Sequence, residues 1–234
     1  MADGFFKFLK TKVEEEQDAD LYETYLERFR MGGFKPTFEL RVRQLAEEVQ
    51  KIKERSQRAG AETQSLLHKA YEDLSDYFMV HYCQAINVVY LPEAILQYQY
   101  VQLADTDLYQ MSLDYLAFER EEETVYTNFL EMPREKLRKA GQSFLFPAKE
   151  ERIYFICVQS VLGTVKEGFS MTETGIYWRM LFEQAQQVRY KNLTELKVEK
   201  DWLKINGHFF NVSKPLNIRL LKLLKRLKLM IENE

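Results

Sequence analysis

Cysteine, histidine and long apolar runs are all scarce in this sequence of 234 residues. No run approaches the roughly 18–20 apolar residues that a membrane-spanning helix needs, so the sequence predicts no such helix. The apolar stretch near the start is shorter than a secretory signal requires and leads directly into acidic residues. Cys83 and Cys157 lie in different segments, which predicts a reduced cytoplasmic protein with two structural thiols.

The motifs that mark common catalytic and metal sites are also missing from the sequence. It contains no Gly-rich phosphate loop, no Gly-x-Ser-x-Gly elbow and no His-Glu-x-x-His motif. His81 and Cys83 are possible metal ligands, but no second pair follows at zinc spacing. We therefore predict a non-enzyme with no catalytic residues, no cofactor and no metal. The alternative is an unrecognised enzyme in which a cysteine pairs with a histidine.

The charges are unevenly distributed along a chain whose overall composition is ordinary for a folded protein. Hydrophobic residues make up 46% and charged residues 29%. The net charge of −3 combines −8 over residues 1–150 with +5 over residues 151–234. Two interpretations follow. The acidic and basic parts either dock on each other, or the basic part faces an anionic partner.

Residues 1–149 are predicted to form a helical domain. Its clearest signal is an apolar seam at alternating spacings of four and three, formed by Phe38, Val42, Leu45, Val49 and Ile52. This seam predicts a helix from Pro36-Thr37 that forms a hairpin with a helix over residues 61–83. Further helices are predicted at 5–16, from Asp18 or Asp20 to Phe29, from Leu91-Pro92-Glu93, from Asp107 to about Leu130, and as a short turn at 133–137. Glu121-Glu122-Glu123 would form a solvated face of the helix that reaches Leu130.

From residue 150 the sequence changes to short β-branched and aromatic runs. They predict seven antiparallel strands, at 152–159, 166–171, 174–180, 186–190, 194–199, 202–206 and 208–212. Turns are assigned to Gly163, to residues 172–175 and to Asn206-Gly207, the last as a type I′ turn. A helix from Pro215 to Ile231 places leucines on one face and Lys/Arg on the other. The predicted fold class is α+β, with a helical domain at 1–149 and a sheet domain at 150–234 closed by this amphipathic helix.

The turns of the second part carry a resemblance to a known superfold. Its segments include Gly168-Phe169-Ser170-Met171-Thr172, Gly175-Ile176-Tyr177-Trp178-Arg179, Val188-Arg189-Tyr190-Lys191-Asn192-Leu193 and Leu203-Lys204-Ile205-Asn206-Gly207. Over about residues 150–232 the chain resembles a bacterial pleckstrin-homology (PH)-like domain, a meander of about seven strands closed by one amphipathic helix. The N-terminal helical part resembles no family we can name. Eukaryotic PH domains often bind phosphoinositides through a basic loop, and the matching residues 161–166 include one cation, Lys166. The resemblance therefore implies protein binding more than lipid binding.

These observations favour a bacterial protein-interaction or scaffold protein over two other functions. One is a peripheral membrane adaptor, and the other is an immunity or antitoxin-like protein that inhibits an enzyme through its acidic surface. The candidate partner or membrane contacts are Phe5, Phe6, Phe8, Lys222, Lys225 and Arg226. The competing interpretation of the last three is a solvated helix face near the negative end of the helix dipole. We expect a protein partner and disfavour nucleic acid. Self-association through the helical domain and peripheral contact with a membrane surface are left open.

Overall fold

The computed structural model describes residues 1–55, 59–159 and 165–232, which form two compact units. The first unit comprises residues 1–99, and the second begins at Tyr100. The predicted α+β class is confirmed, since N-terminal helices precede two antiparallel sheets and a C-terminal helix. The described strands form no closed barrel. The predicted boundary at residue 149 would separate two domains that fold independently. The division into compact units does not test independent folding, so this boundary stays a prediction.

Four α-helices build the first unit, and the predicted helices of this region are largely confirmed. They are α1 (Ala2–Glu16), α2 (Tyr22–Met31), α3 (Lys35–Arg55) and α4 (Ala59–Tyr82). Asp18 accepts a hydrogen bond from the Asp20 amide and caps a short 3-10 turn before α2. The helix predicted at Leu91-Pro92-Glu93 is instead a 3-10 helix, Glu93–Gln99. α3 packs against α4, as the predicted helical hairpin requires.

Closely packed aromatic rings form the core of the first unit. Phe5 of α1 lies 4.9 Å from Phe38 of α3, measured between ring centroids. Phe29 of α2 lies 5.0 Å from Phe38, and Phe34 lies 4.8 Å from Phe78 of α4. Such pairs add about 0.5–1.5 kcal/mol each beyond the burial of their area. The aromatic cluster therefore ties all four helices together.

A five-stranded antiparallel sheet forms the first half of the second unit. Its strands are β1 (Thr124–Tyr126), β2 (Ile153–Val158), β3 (Gly168–Thr172), β4 (Gly175–Arg179) and β5 (Gln186–Arg189), paired in that order. α5 (Leu108–Leu116) precedes β1, and α6 (Arg134–Ser143) lies between β1 and β2. The core on the α6 side contains Phe144, Ile156 and Tyr177. The predicted turn at Gly163 lies outside the described residues.

A three-stranded sheet and a long helix complete the second unit. The strands are β6 (Leu196–Glu199), β7 (Trp202–Ile205) and β8 (His208–Phe210), and the helix is α7 (Lys214–Glu232). Asn206 and Gly207 have φ angles of 50° and 81°, so the type I′ turn predicted between β7 and β8 is confirmed. α7 packs against α5, β6 and β7. Each of the seven predicted strands has an observed counterpart, but the seven belong to two sheets.

The helix predicted from Asp107 to about Leu130 is wrong beyond residue 116. α5 ends where Ala117 takes a left-handed conformation with φ 45°, and a 3-10 turn, Phe118–Arg120, follows. Thr124–Tyr126 then forms β1, which pairs with β2. Pairing with β2 therefore overrides the helical character of the segment that follows residue 116.

The Lys/Arg face of α7 is more buried than the solvated face that the sequence predicts. Arg219, Lys222 and Arg226 are buried, with at most 3% of each residue exposed. Arg219 forms an ion pair with Glu121 and donates to the Ala117 carbonyl oxygen at 3.2 Å. Buried cations need partners because unpaired charge is strongly disfavoured away from water. The interpretation of this face as solvent-exposed is therefore wrong at these three positions.

Candidate protein-interaction groove

An open groove of about 580 Å³ lies in the second unit where β2 begins. It is lined by Tyr109, Thr127, Asn128, Phe129, Leu130, Glu151, Arg152, Ile153 and Tyr154. We call this set the edge groove, because its wall at 127–130 continues from β1. Among the described strands, β1 pairs with β2 alone and so forms one edge of its sheet.

Two tyrosines and one arginine form the aromatic side of the edge groove. Tyr109 and Tyr154 meet edge to face, with their ring centroids 5.8 Å apart. The guanidinium carbon of Arg152 lies 5.3 Å from the Tyr109 ring and 5.9 Å from the Tyr154 ring. Arginine over an aromatic face is attracted by the negative π-surface. The groove therefore presents flat apolar surface beside an exposed, oriented positive charge.

Local hydrogen bonds fix both ends of this arrangement. Asp107 caps α5 by accepting from the Tyr109 and Gln110 amides at 3.0 and 3.2 Å, and so it positions Tyr109 in the first helical turn. On the opposite wall the Asn128 side chain accepts from the Leu130 amide at 3.1 Å. This Asx-type turn holds Leu130 with 97% of its surface exposed. An exposed leucine held by such a turn offers an apolar contact point.

The one carboxylate of the groove, Glu151, is already saturated with hydrogen bonds. It accepts from the side chains of Thr172, Thr174 and Tyr177, and from the Ala148 amide at 2.9 Å. Partial burial of the carboxylate opposes ionisation, but the hydrogen bonds from these partners outweigh it and lower the pKa of Glu151. The ionised Glu151 side chain therefore links the start of β2 to the β3–β4 turn.

Burial controls the ionisation of two tyrosines near Glu151, namely Tyr154 and Tyr177. Desolvation, with a smaller contribution from the nearby Glu173 carboxylate, raises the pKa of Tyr154 to about 12. Desolvation together with the Glu151 charge raises the pKa of Tyr177 to about 12. Both phenols are consequently neutral at physiological pH. The chemistry that the groove offers is aromatic contact, apolar contact at Leu130 and charge pairing at Arg152.

The predicted contact residues of α1 lie in the first unit and are only partly accessible. Phe5 is fully buried in the aromatic core. Phe6 is half-buried and lines a separate groove of about 470 Å³ with Tyr22, Leu26, Phe29, Arg30 and Lys35. Phe8 packs edge to face on His68, with their centroids 5.4 Å apart. A partner or membrane thus has access to Phe6 and Phe8 but not to the ring of Phe5.

The predicted contact residues of α7 lie in the second unit. Lys222 and Arg226 are buried and Lys225 is half-buried, and all three take part in interactions within the chain. The predicted role of the six candidate residues in partner or membrane contact stays a prediction. No described helix is both long and apolar enough to cross a bilayer. Residues 161–166, which the resemblance matches to the lipid-binding loop of PH domains, are described only at Val165 and Lys166.

The two cysteines are buried, whereas His81 and His208 are exposed. Cys83 and Cys157 are both free and buried, as predicted for structural thiols. Burial raises the pKa of the Cys83 thiol to about 12 and also raises that of Cys157. His81 and His208 contact the rings of Tyr77 and Trp178. Within the described residues, no three His, Cys, Asp or Glu side chains come together as a metal site.

The edge groove was not predicted from the sequence. Its walls come from three separate segments, and no local pattern indicates that Tyr109 meets Tyr154. The one local signal is the run Glu151-Arg152-Ile153-Tyr154, where two charged residues lead into the start of a strand. Comparison with protein families, curated proteins and solved structures finds no match for this chain.

Proposed function

We propose that this chain is a non-enzymatic protein-interaction protein, and that the edge groove is its peptide-binding site. The observation that carries the proposal is the grouping of an almost fully exposed Leu130 with the Arg152–Tyr109–Tyr154 stack at a sheet edge. Peptide sites combine apolar anchors with a few oriented polar groups. Aromatic and arginine side chains also supply most of the affinity at protein interfaces.

The occupant that suits this groove is an extended acidic segment with an apolar anchor. The anchor would lie on Leu130 and the tyrosine rings, and a carboxylate would pair with Arg152. Edge strand β1 can add backbone hydrogen bonds to an extended chain that continues alongside it. Glu151 would hold the floor of the site in place through its hydrogen bonds to Thr172 and Thr174.

We also propose that residues 150–232 are a PH-like domain serving as the scaffold of this site. The support is the order of elements, with β2 to β5 in meander connection in one sheet, β6 to β8 in a second sheet, and then α7. Two further features support it, since Asn206-Gly207 forms the turn between β7 and β8 and Gly175–Arg179 forms β4. β1 is an addition from the preceding segment, and residues 127–130, which follow it, form the outer wall of the groove.

Selection of peptides from a random displayed library against the intact chain tests the binding proposal. We expect selected peptides to carry an acidic residue near an aromatic or aliphatic one. Their affinity should fall at least about tenfold in Leu130→Asp and in Arg152→Glu, because these changes remove the apolar anchor and reverse the charge. Leu40→Asp is a matched control, since Leu40 is an exposed apolar residue of α3. Peptides that bind all the variants equally well would refute the site.

A further inference from the structure

The tip of the β4–β5 hairpin exposes two adjacent apolar side chains. Leu181 is 60% exposed and Phe182 is 96% exposed. The Glu183 amide donates to the Met180 carbonyl oxygen at 3.0 Å, which makes Phe182 the third residue of a tight turn. Phe182 has φ 64°, whereas Leu181 has no positive φ, so the turn has type II geometry. That third position ordinarily holds Gly or Asn because other side chains are strained there.

A phenylalanine at this position serves neither the turn nor the core. Its backbone is strained, and its ring contributes almost nothing to burial within the chain. Sparsely populated backbone conformations concentrate at contact and ligand sites. The strained, exposed ring therefore indicates an anchor that is buried only in an assembly. We call Leu181, Phe182 and Glu183 the hairpin tip.

The hairpin tip and the edge groove have complementary chemistry. The tip places two apolar side chains beside the carboxylate of Glu183, and the groove places apolar surface at Leu130 and the half-buried Tyr109 beside the guanidinium of Arg152. Gln184 and Gln187 add exposed neutral amides near the tip, which suit the polar rim of a protein interface. Arg179 and Lys166 near this end of the sheet are balanced by Glu167 and Glu183, so an anionic bilayer has no net charge attraction to it.

The sheet register places the tip and the groove at opposite ends of the same sheet. Arg179, where β4 ends, lies opposite Gly168, and Gly168 lies opposite Val158, where β2 ends. The groove is formed where β2 begins, at Arg152-Ile153-Tyr154. A tip inserted into the groove of another copy leaves a free groove on one copy and a free tip on the other. Such a contact is heterologous, and repetition gives an open chain of copies unless the rotation closes a ring.

We propose that the edge groove accepts the hairpin tip of a second copy of this chain, so that copies associate head to tail. The inference rests on the proposed peptide-binding function of the groove. A contact made by three tip residues falls well below the roughly 1,000 Å² of a stable interface, so the association is weak and concentration-dependent. It gives the groove an acidic, apolar occupant, presented on a tight turn instead of the extended segment argued above.

Sedimentation equilibrium of the intact chain at concentrations up to about 1 mM tests the proposal. The weight-average mass should rise with concentration and continue beyond that of a dimer. Phe182→Ala, Glu183→Arg and Arg152→Glu should each lower the association constant at least about tenfold. The double variant Glu183→Arg with Arg152→Glu should restore association, because each copy then carries the reversed pair. A double variant as weak as the single variants would overturn the proposed contact.

Two further results would also overturn it. A wild-type chain that remains monomeric up to that concentration excludes head-to-tail association. If library-selected peptides still bind the groove of that monomer, the proposed function stands and only the identity of the occupant is refuted. Flotation with phosphatidylcholine–phosphatidylglycerol vesicles is the third test, and it measures whether the chain binds a lipid surface. Flotation of a monomeric wild-type chain that is lost in Phe182→Ala would assign the tip to a lipid surface instead.

Discussion

Phe182 shows how a single residue can oppose local stability. A left-handed backbone is disfavoured by about 1–2 kcal/mol for residues with a β-carbon, while Asn tolerates it through local hydrogen bonding. The Phe182 ring is 96% exposed and returns little packing energy to the fold. The residue therefore makes more sense as a contact residue than as a structural one.

Replacing Phe182 with Asn should stabilise the chain by about 0.5–1 kcal/mol, since the turn strain is relieved and almost no burial is lost. Urea unfolding followed by circular dichroism gives the free energy of unfolding. Phe182→Ala is the matched control, because it removes the ring but keeps a strained β-carbon, and its stability should be close to that of the wild type. An Asn variant no more stable than the Ala variant would contradict the assigned strain.

Ionisation of Tyr154 gives a second prediction at the residue scale. Its pKa is about 12 in the folded chain, against the ordinary tyrosine pKa of 10.0. Because the pKa of Tyr154 is higher in the folded chain than in the unfolded chain, the contribution of its phenol to stability is intact below pH 10. That contribution is lost as the pH rises toward 12. The free energy of unfolding should fall across this window, and Tyr154→Phe should make the fall shallower. The exposed Tyr100→Phe variant is the control, and an equal effect there would argue against a specific role of Tyr154.

The acidic run after α5 shows how an element can differ from its sequence pattern. Three consecutive glutamates predict a solvated helix face, yet the Glu121 side chain is only 8% exposed and forms an ion pair with Arg219. Glu122 is exposed, so neighbours of the same type have different environments. The sequence alone does not distinguish them, because the partner of Glu121 lies 98 residues away.

Glu121→Ala should destabilise the chain by about 3–5 kcal/mol, because it removes a buried carboxylate that pairs with the buried Arg219 guanidinium. Glu122→Ala should change the free energy of unfolding by less than about 0.5 kcal/mol. Denaturant titration of both variants gives the comparison. Similar values for the two would show that the Glu121–Arg219 pair is not buried as described.

The strands after residue 150 could be predicted because their signals are local. Asn206-Gly207 specifies a type I′ hairpin by its own conformational preferences, and β-branched runs specify the strands around it. β1 was missed because Thr124–Tyr126 is short and takes its structure from pairing with β2. The edge groove was missed for the same reason, since Tyr109, Leu130 and Tyr154 are brought together only by tertiary contacts.

At the scale of the whole molecule, each compact unit contains one buried cysteine. Cys83 belongs to the first unit and Cys157 to the second. Both thiols are fully buried with raised pKa values, so a thiol reagent reaches them only when the surrounding structure opens. Single-cysteine variants therefore report the opening of each unit separately.

We expect Cys83→Ala and Cys157→Ala chains to react with Ellman's reagent at different rates under native conditions, because units with their own cores open separately. Rates in strong denaturant, where both thiols are accessible, provide the reference. Identical native rates that match the rate of global unfolding would show that the two units open as one.

The central claim is that the edge groove binds an acidic, apolar segment of protein. The most direct measurement is the change in backbone amide NMR shifts when a library-selected peptide is added to the intact, isotope-labelled chain. We predict that the largest changes cluster at Tyr109, at residues 127–130 and at Arg152–Tyr154. Changes that cluster elsewhere, with these positions unaffected at saturation, would contradict the account.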